Sequence, residues 1–272
     1  MYKEQVIANQ NSQYISIPSF KITEYRDKLH KYCLLIPVLN EGDRFRRQLF
    51  KINKLLLYNI ADIIICDAGS NDGSTNIDFL SSMNVSVLLT RIGEGRYSTD
   101  IKMGYKFALM RGYKGIITVD GNEKDGVEAL TDFCQKLDEG YDYVQGSRFI
   151  KGGIEKNTPL VRKLALKFIN EPIMSFISKK KLTDTTNGFR AYSAHFLTHK
   201  DVQPFRKIFY GYELIYYLPY RASTLGFKCI EIPVSRKYPD SGEVPSKVGG
   251  IRGNLYQLSI LFKMLIKKYN PR

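Results

Sequence analysis

The chain has 272 residues, of which 43% are hydrophobic and 25% are charged, as in soluble globular proteins that bury one large core. No run approaches the roughly 18 apolar residues that a membrane-spanning helix needs, and the first ten residues lack a signal-peptide core. We therefore expect a cytoplasmic protein with four reduced cysteines, whose net charge of +14 favours an anionic partner: nucleic acid, a membrane surface or a phosphorylated substrate.

Strand and helix patterns alternate along the first half of the chain. The predicted strands are residues 31–40, 61–70, 85–90, 114–120 and 141–148. Between them, residues 43–58, 98–113 and 126–140 have helical spacing, with Phe45, Leu49, Ile52 and Leu56 on one face of the first helix. This alternation predicts an α/β fold with a mostly parallel sheet and helices on both faces.

The second half has longer helical patterns. Residues 158–181 predict a helix kinked at Pro172, and residues 211–226 predict a helix interrupted by Pro219. A strand pattern follows at residues 227–239. The least patterned stretch lies at the other end of the chain, where residues 1–30 are predicted to form an N-terminal arm.

Polar side chains stand where the predicted strands end. The loops "PVLNEGD", "CDAGSNDGST" and "TVDGNEKD" follow three strands of the first half. Each loop alone is also compatible with a helix cap, an Asx-rich turn or an ordinary acidic loop. Parallel sheets bind ligands beyond the carboxyl ends of their strands. The order of the loops therefore indicates a nucleotide site in which oxygen ligands hold a divalent cation against a diphosphate.

Six segments together resemble the family-2 glycosyltransferases of GT-A fold, near the dolichyl-phosphate-mannose-synthase-like branch. "IPVLNE" resembles the family's Pro-x-x-Asn-Glu loop, "CDAGSNDGST" its Asp-x-Gly-Ser-x-Asp-Gly-Thr motif, and "VDGNEKDGVE" stands where Asp-x-Asp belongs. "VQGSRF", "TDTTNGFRAYS" and "SRKYPDSGEVPSK" match the later Gly-Ser-Arg, Asp-x-x-x-Gly-Phe-Arg and Arg…Ser-Lys segments. The resemblance extends from about Tyr32 to Lys247.

The resemblance implies an inverting glycosyltransferase that moves a sugar from a UDP- or GDP-sugar to a polyprenyl-phosphate or glycan acceptor, in cell-envelope or glycan biosynthesis. It implies a Rossmann-like GT-A sheet with acceptor-side helices at the C-terminal end. Residues 31–150 would be the nucleotide-sugar-binding half and 151–272 the acceptor-side half of one continuous domain. The nucleotide-binding residues would be Pro37, Asn40, Glu41, Asp67, Gly69, Ser70, Asp72, Arg96 and Asp120.

A divalent metal, Mg²⁺ or Mn²⁺, would be held by Asp120, Asn122 and Asp125. The sequence departs from the family at two points. The second aspartate of Asp-x-Asp is Asn122, a weaker neutral ligand, so that either Asp120 and a second group, Asp125 or Glu123, hold the metal, or the metal dependence is altered. The usual Gly-Lys-Gly loop is replaced by "GEGRYSTD", in which Arg96 would supply the positive charge.

Asp184 and Glu213 are alternative candidates for the catalytic base that a hydroxyl acceptor requires, whereas a phosphate acceptor needs no base. Asp184 stands in a polar motif where capping a turn is the other interpretation, and Glu213 stands in an aromatic, apolar helix where a carboxylate is costly unless paired or used. Acceptor phosphate would be bound by Arg148, Arg190, Arg236 and Lys247.

The C-terminal helix pattern, residues 253–270, leaves two interpretations open. Apolar residues recur at near-helical spacing beside a basic edge, at Leu255, Leu258, Phe262 and Leu265. The helix either docks on the core or lies on an anionic membrane surface, as a peripheral membrane protein would place it.

A sugar-phosphate nucleotidyltransferase is the alternative enzyme. Nucleic acid is not an expected partner, because the aromatic residues lie in apolar stretches.

Overall fold

The computed structural model describes residues 2–240 and 250–271. The strands are β1 (Lys3–Ile7), β2 (Ser19–Glu24), β3 (Tyr32–Val38), β4 (Asp62–Asp67), β5 (Val87–Ile92), β6 (Gly115–Thr118), β7 (Tyr143–Ser147), β8 (Ile154–Lys156), β9 (Arg190–Ser193), β10 (Cys229–Pro233) and β11 (Ser235–Lys237). The helices are α1 (Gly42–Lys54), α2 (Ile77–Ser82), α3 (Tyr97–Met110), α4 (Leu130–Asp138), α5 (Leu160–Ala165), α6 (Glu171–Ser178), α7 (Ala194–Thr198), α8 (Glu213–Thr224) and α9 (Gly250–Leu265).

One nine-stranded sheet has the order β1-β2-β5-β4-β3-β6-β9-β7-β10, and β8 pairs with β11 separately. Strands β5, β4, β3 and β6 form a parallel centre, which confirms the predicted α/β class. Strands β2 and β9 are antiparallel to their neighbours, so the flanks of the sheet are mixed. The carboxyl ends of the parallel centre all face one edge, where the predicted loops meet.

Helices cover both faces of the sheet, as predicted. Side chains from α3, α6, α8 and α9 pack in one buried cluster, and side chains from α1, α2 and α4 pack in the other. The four cysteines are buried and free, in agreement with the expectation of reduced core thiols. Leu56 does not share the buried face of α1: the helix ends at Lys54, and Leu56 has a left-handed backbone and is exposed.

Residues 1–30 contribute two strands to the edge of the sheet. Strand β2 pairs with β5 over its whole length, and Phe20 and Ile22 are buried beneath it. The segment "SFKITE" alternates polar and apolar side chains, which is typical of a half-buried strand and is the signal in this stretch. Part of the stretch expected to be an arm is thus built into the sheet.

Pro219 lies inside a continuous α8, so the predicted interruption of this helix is wrong. Proline lacks the N–H that would bond to the carbonyl four residues earlier, which belongs to Ile215. Nη1 of Arg190 donates to that carbonyl at 2.8 Å and satisfies it.

The helix predicted at residues 158–181 is irregular before Pro172, because a π-helical turn at Leu166–Asn170 joins α5 to α6. Within residues 2–240 and 250–271, no helix combines the length and apolar content needed to cross a bilayer.

Candidate functional site

A cleft of about 400 Å³ opens at the carboxyl ends of β3 and β6. Its walls come from the loops after these two strands, from the start of α3, and from α5, α8, α9 and β11. The lining residues are Pro37, Val38, Leu39, Glu41, Arg91, Gly95, Arg96, Tyr97, Asp100, Asp120, Gly121, Asn122, Lys124, Arg162, Thr186, Gly188, Tyr212, Ile215, Tyr216, Arg236 and Gln257. Four of the predicted nucleotide-binding residues are among them, namely Pro37, Glu41, Arg96 and Asp120.

The loop after β4 forms a tight turn beside the cleft. Oδ1 of Asp67 accepts hydrogen bonds from the backbone N–H groups of Gly69 (3.2 Å) and Ser70 (2.8 Å). Gly69 has a φ of 92°, a conformation that L side chains rarely adopt. The predicted nucleotide residues Asp67, Gly69 and Ser70 therefore shape the turn, and none of them belongs to the described lining of the cleft.

Asp72 and Asn40 join this turn to the loop after β3. Oδ2 of Asp72 accepts from the backbone N–H of Gly42 at 2.8 Å, and Oδ1 of Asn40 accepts from the backbone N–H of Asn71 at 2.9 Å. Burial tends to raise the pKa of Asp72, but hydrogen bonds from Ser74 and Gly42 outweigh burial and lower it. The carboxylate thus stays ionised and holds together the two loops that border the cleft.

Arg236 arrives from β11 and bridges two aspartates. Its Nη1 donates to both oxygens of Asp125 (2.7 and 2.6 Å) and to Oδ1 of Asn187 (3.0 Å), while Nη2 donates to Oδ2 of Asp120 at 3.1 Å. The side chain of Asp125 is completely buried in this ion pair. The predicted metal ligand Asp125 therefore neutralises Arg236 and is not among the described residues that line the cleft.

Asp120 and Asn122 face the cleft together. Burial tends to raise the pKa of Asp120, but the charges of Arg236 and Lys124 outweigh burial and hold the pKa below its ordinary value. Oδ1 of Asn122 is buried without a hydrogen-bond partner. A side chain at Gly188 would collide with Oδ1 of Asp120, so glycine leaves room for this carboxylate. An ionised carboxylate beside an unsatisfied amide oxygen suits a hard divalent cation.

Asp184 and Arg148 form a closed pair in the interior. Nε and Nη2 of Arg148 donate to the two oxygens of Asp184 at 2.7 and 2.9 Å, and the backbone N–H of Arg148 adds a third bond at 3.2 Å. Both side chains are at most 1% exposed. Among the described residues that line the cleft, neither the candidate base Asp184 nor the candidate phosphate ligand Arg148 is present.

Glu213, the other candidate base, fixes the start of α8. Its Oε2 accepts from the backbone N–H groups of Tyr210 (3.0 Å) and Gly211 (2.6 Å). Its Oε1 accepts from the hydroxyl of Tyr256 at 2.6 Å, which ties α8 to α9. The buried carboxylate satisfies two backbone N–H groups in the turn that leads into α8, a structural use of an acid in an aromatic helix.

Arg190 and Lys247 are the two remaining candidates for binding the acceptor phosphate. Arg190 is buried beneath α8, where its guanidinium donates to backbone carbonyls, including those of Ile215 (2.8 Å) and Thr185 (3.0 Å). It positions the helix that carries part of the cleft wall. Lys247 falls outside the described residues.

Several cleft residues carry signals that the motifs alone do not single out. Arg91 pairs with Asp100 at 2.6 Å across the "GEGRYSTD" loop, and the rings of Tyr97 and Tyr212 stack with centroids 5.2 Å apart. Burial, together with the charge of Arg236, lowers the pKa of Lys124 to about 7. The basic and aromatic residues flanking this loop are visible in the sequence, but their meeting at the cleft is set by the fold.

The cleft is basic overall. Its described lining contains five basic side chains and three acidic ones; they are Arg91, Arg96, Lys124, Arg162 and Arg236, with Glu41, Asp100 and Asp120. Arginine and lysine side chains bind phosphate through charge-assisted hydrogen bonds. The cleft therefore suits a ligand that carries phosphate.

Comparisons with known proteins place these features in context. No protein-family model matches the chain. It is 24% identical over 200 residues to polyprenol monophosphomannose synthase of Mycolicibacterium smegmatis, covering 72% of this chain and 74% of the relative. It is 27% identical over 222 residues to undecaprenyl-phosphate mannosyltransferase of Micrococcus luteus, covering 80% and 88%. Dolichol-phosphate mannosyltransferase of Pyrococcus furiosus is 26% identical, with 80% and 56% covered.

Solved structures agree on the fold. Glucosyl-3-phosphoglycerate synthase of Mycobacterium tuberculosis, crystallised with Mn²⁺, UDP and phosphoglyceric acid, superposes with a TM-score of 0.57 over 85% of this chain and 78% of that one. At 13% identity this likeness concerns the fold alone. The relatives from these three organisms are all named as mannose transferases or synthases of a polyprenyl or dolichyl phosphate. The chain is thus similar to family-2 glycosyltransferases of GT-A fold, in the dolichyl-phosphate-mannose-synthase-like branch.

Proposed function

We propose that this glycosyltransferase moves a sugar, with inversion, from a UDP- or GDP-sugar to the phosphate of a polyprenyl lipid in cell-envelope biosynthesis. One observation carries the choice of acceptor. The two candidate bases, Asp184 and Glu213, are buried and hydrogen-bonded through both oxygens, whereas the cleft lining is rich in arginine and lysine. A phosphate acceptor is already an anionic nucleophile and needs no base.

In the proposed reaction a phosphate oxygen of the acceptor attacks C1 of the sugar from the face opposite the nucleoside diphosphate. The new C1–O bond forms as the bond to the diphosphate breaks, and the nucleoside diphosphate leaves. The loops after β3 and β6 hold the donor, and Arg96 lies where it offsets the charge of the diphosphate. Arg162 supplies positive charge to the wall formed by α5, α8 and α9, where the acceptor phosphate enters, and Lys124 in the loop after β6 adds positive charge beside the diphosphate.

We assign a divalent cation, Mg²⁺ or Mn²⁺, to Asp120 and Asn122. The ionised carboxylate and the unsatisfied Oδ1 of Asn122 support this assignment, as does the Mn²⁺ bound by the structural neighbour. When bound, the cation neutralises the departing diphosphate. Arg236 keeps the Asp120 carboxylate in place, and Asp125 acts through Arg236 and not as a ligand.

A polyprenyl-phosphate acceptor implies that the enzyme acts at a membrane surface. A polyprenyl phosphate keeps its hydrocarbon chain in the bilayer, so the enzyme must meet its acceptor at the headgroup level. We place the protein there as a peripheral membrane protein, on the side that receives nucleotide-sugars.

The test compares two acceptors that differ only in the phosphate. Purified protein is incubated with UDP- or GDP-sugars, Mg²⁺ or Mn²⁺, and either a polyprenyl phosphate or the matched polyprenol. We expect glycolipid and free nucleoside diphosphate with the phosphate-bearing acceptor only. Equal transfer to the polyprenol would contradict the proposal. Release of pyrophosphate from a nucleoside triphosphate and a sugar phosphate would identify the nucleotidyltransferase instead.

A further inference from the structure

Tyrosine side chains line the cleft where the starts of α3 and α8 meet. Tyr97 is the first residue of α3, Tyr212 directly precedes α8, and Ile215 and Tyr216 lie in its first turn. A phosphate group is bound by cations and N–H donors, whereas aromatic side chains contact the uncharged parts of a ligand. This part of the cleft therefore suits a portion of the ligand other than its phosphates.

Tyr97 and Tyr212 form one aromatic unit. Their rings are stacked, with centroids 5.2 Å apart and an angle of 22° between the planes. The backbone N–H of Ser98 donates to the carbonyl of Gly211 at 2.7 Å, and the backbone N–H of Leu214 donates to Oγ of Ser98 at 3.4 Å. Because these bonds join the start of α3 to the start of α8, the two rings are held together before a ligand binds.

Glu213 fixes the backbone next to Tyr212. Its Oε2 accepts from the N–H groups of Tyr210 and Gly211, and its Oε1 accepts from the hydroxyl of Tyr256. A Cβ at Gly211 would lie 1.9 Å from that hydroxyl oxygen, so this position requires glycine. The buried carboxylate of Glu213 thus positions an aromatic ring of the cleft.

The stacked rings lie close to the proposed cation site. Burial raises the pKa of the Tyr97 and Tyr212 hydroxyls, and the negative charge of Asp120 raises both further, which places the two hydroxyls near that carboxylate. Both tyrosines are only partly buried, and they line the same cleft as Asp120. In a nucleotide-sugar the sugar is bonded directly to the diphosphate. A diphosphate held at Asp120 therefore leaves its sugar within reach of the two rings.

Tyr97 also stands where the sequence departs from the family pattern. It belongs to "GEGRYSTD", which replaces the usual Gly-Lys-Gly loop. Arg96 would supply the positive charge of the missing lysine, and Tyr97 adds a ring beside it. The departure therefore gives this cleft an aromatic surface as well as a charge.

We propose that Tyr97 and Tyr212 form a sugar platform, on which the pyranose ring of the donor rests. Resting on the proposed function, this assignment names the part of the cleft that binds the sugar. A pyranose has faces made of C–H groups and a rim of hydroxyl groups. A C–H face packs on aromatic carbon as other apolar surfaces do, and the hydroxyl rim stays free for polar groups.

Calorimetry without an acceptor tests the sugar platform. The probes are GDP-mannose with GDP as reference and UDP-glucose with UDP as reference, each with Mg²⁺. Tyr97→Ala and Tyr212→Ala should each lower the affinity for the nucleotide-sugar that the wild type binds more tightly by at least about fivefold. The affinity for the matching nucleoside diphosphate should change by less than about twofold, which also shows that the site is intact.

Conservative variants and a remote tyrosine provide the controls. Tyr97→Phe and Tyr212→Phe keep the rings and should bind the nucleotide-sugar within about twofold of the wild type. Tyr14→Ala removes a tyrosine that is 69% exposed and outside the described lining, and it should change neither affinity.

Three results would overturn the sugar platform. The alanine variants could lose affinity for the nucleoside diphosphate as much as for the nucleotide-sugar. The phenylalanine variants could lose as much as the alanine variants, which would assign the effect to the hydroxyls. The wild type could bind GDP or UDP but neither nucleotide-sugar, which would leave no place for a pyranose beside the diphosphate.

Transfer assays distinguish this proposal from the proposed function. With a polyprenyl-phosphate acceptor, the alanine variants should raise KM for the donor and leave KM for the acceptor within about twofold. A raised acceptor KM with unchanged donor affinity would assign the rings to the lipid and overturn the sugar platform. If the alanine variants lose donor affinity as expected but the wild type transfers no sugar to the lipid phosphate, the proposed function fails and the sugar platform stands.

Discussion

Replacing Asp184 with asparagine distinguishes a structural role of this residue, as the counter-ion of Arg148, from a role as the catalytic base. The substitution keeps the shape of the side chain and removes its charge. In the structure, Asp184 is the counter-ion of Arg148, which is 1% exposed at its side chain and donates three hydrogen bonds to the carboxylate. Nη1 of Arg148 is already buried without a hydrogen-bond partner. Among the described residues, Asp184 is the acid that pairs with this guanidinium.

The expected cost is a loss of stability. Removing one partner of a buried ion pair typically costs about 3–5 kcal/mol, because the other charge remains buried and uncompensated. For a domain approaching this size, each kcal/mol lowers the melting temperature by about 2–4 °C, so Asp184→Asn should lower it by about 6–20 °C. The apolar pair Arg148→Met with Asp184→Leu should recover most of this loss, since it leaves no charge behind.

The assay combines thermal unfolding with initial rates measured per folded molecule, well below the melting temperature of the variant. With a polyprenyl-phosphate acceptor, we expect the rate of Asp184→Asn to stay within about threefold of the wild type. Loss of a general base would instead lower the rate about 10²–10⁴-fold. Asp240→Asn, in an exposed pair with Lys156, is the control and should leave both the melting temperature and the rate unchanged.

One result would refute this reasoning. If Asp184→Asn melts like the wild type but loses more than about a hundredfold in rate, the residue acts in the chemistry and its ion pair is not structural. A melting temperature that falls equally in Asp240→Asn would show that carboxylate loss in general, and not burial, sets the cost.

Two further predictions concern the cleft. Asp120→Asn should lower kcat/KM at least about 100-fold with little change in the melting temperature, because it removes the charge that holds the cation; near-normal kcat/KM would exclude Asp120 from the site. Lys124, with a pKa of about 7, is protonated below that pH and loses its charge above it. Calorimetry should therefore find that the affinity for nucleoside diphosphate falls as the pH rises through about 7, and that Lys124→Arg flattens this fall; equal profiles for both proteins would contradict it.

The sequence predicted those parts of the protein that depend on local pattern. Period-2 and period-3.6 spacing located the central strands and most helices, and the strand-end rule brought Pro37 and Asp120 to the cleft. The sequence did not predict which charged residues face the cleft. Asp125 and Arg236 are 111 positions apart, and only the pairing of the loop after β6 with β11 makes them a buried ion pair.

The same limit applies to the base candidates. The sequence around Asp184 and Glu213 does not distinguish a carboxylate that acts in catalysis from one that stabilises the fold. Arg148 for Asp184, and Tyr256 for Glu213, are the partners that distinguish these uses, and both contacts depend on tertiary packing. The carbonyl that Pro219 leaves unpaired in α8 is likewise satisfied by a residue distant in sequence, Arg190 at the start of β9.

Residues from both halves of the chain meet at the cleft. Strand β9 from the second half lies between β6 and β7 of the first, and β10 extends the sheet beyond β7. From β11, Arg236 fixes Asp120, while Arg190 at the start of β9 supports the cleft wall that α8 provides. Since both arginines are buried and charged, their loss disturbs fold and cleft together. The later half of the sequence therefore completes the strand-end cleft of the earlier half, because Arg236 holds Asp120 and Arg190 supports α8.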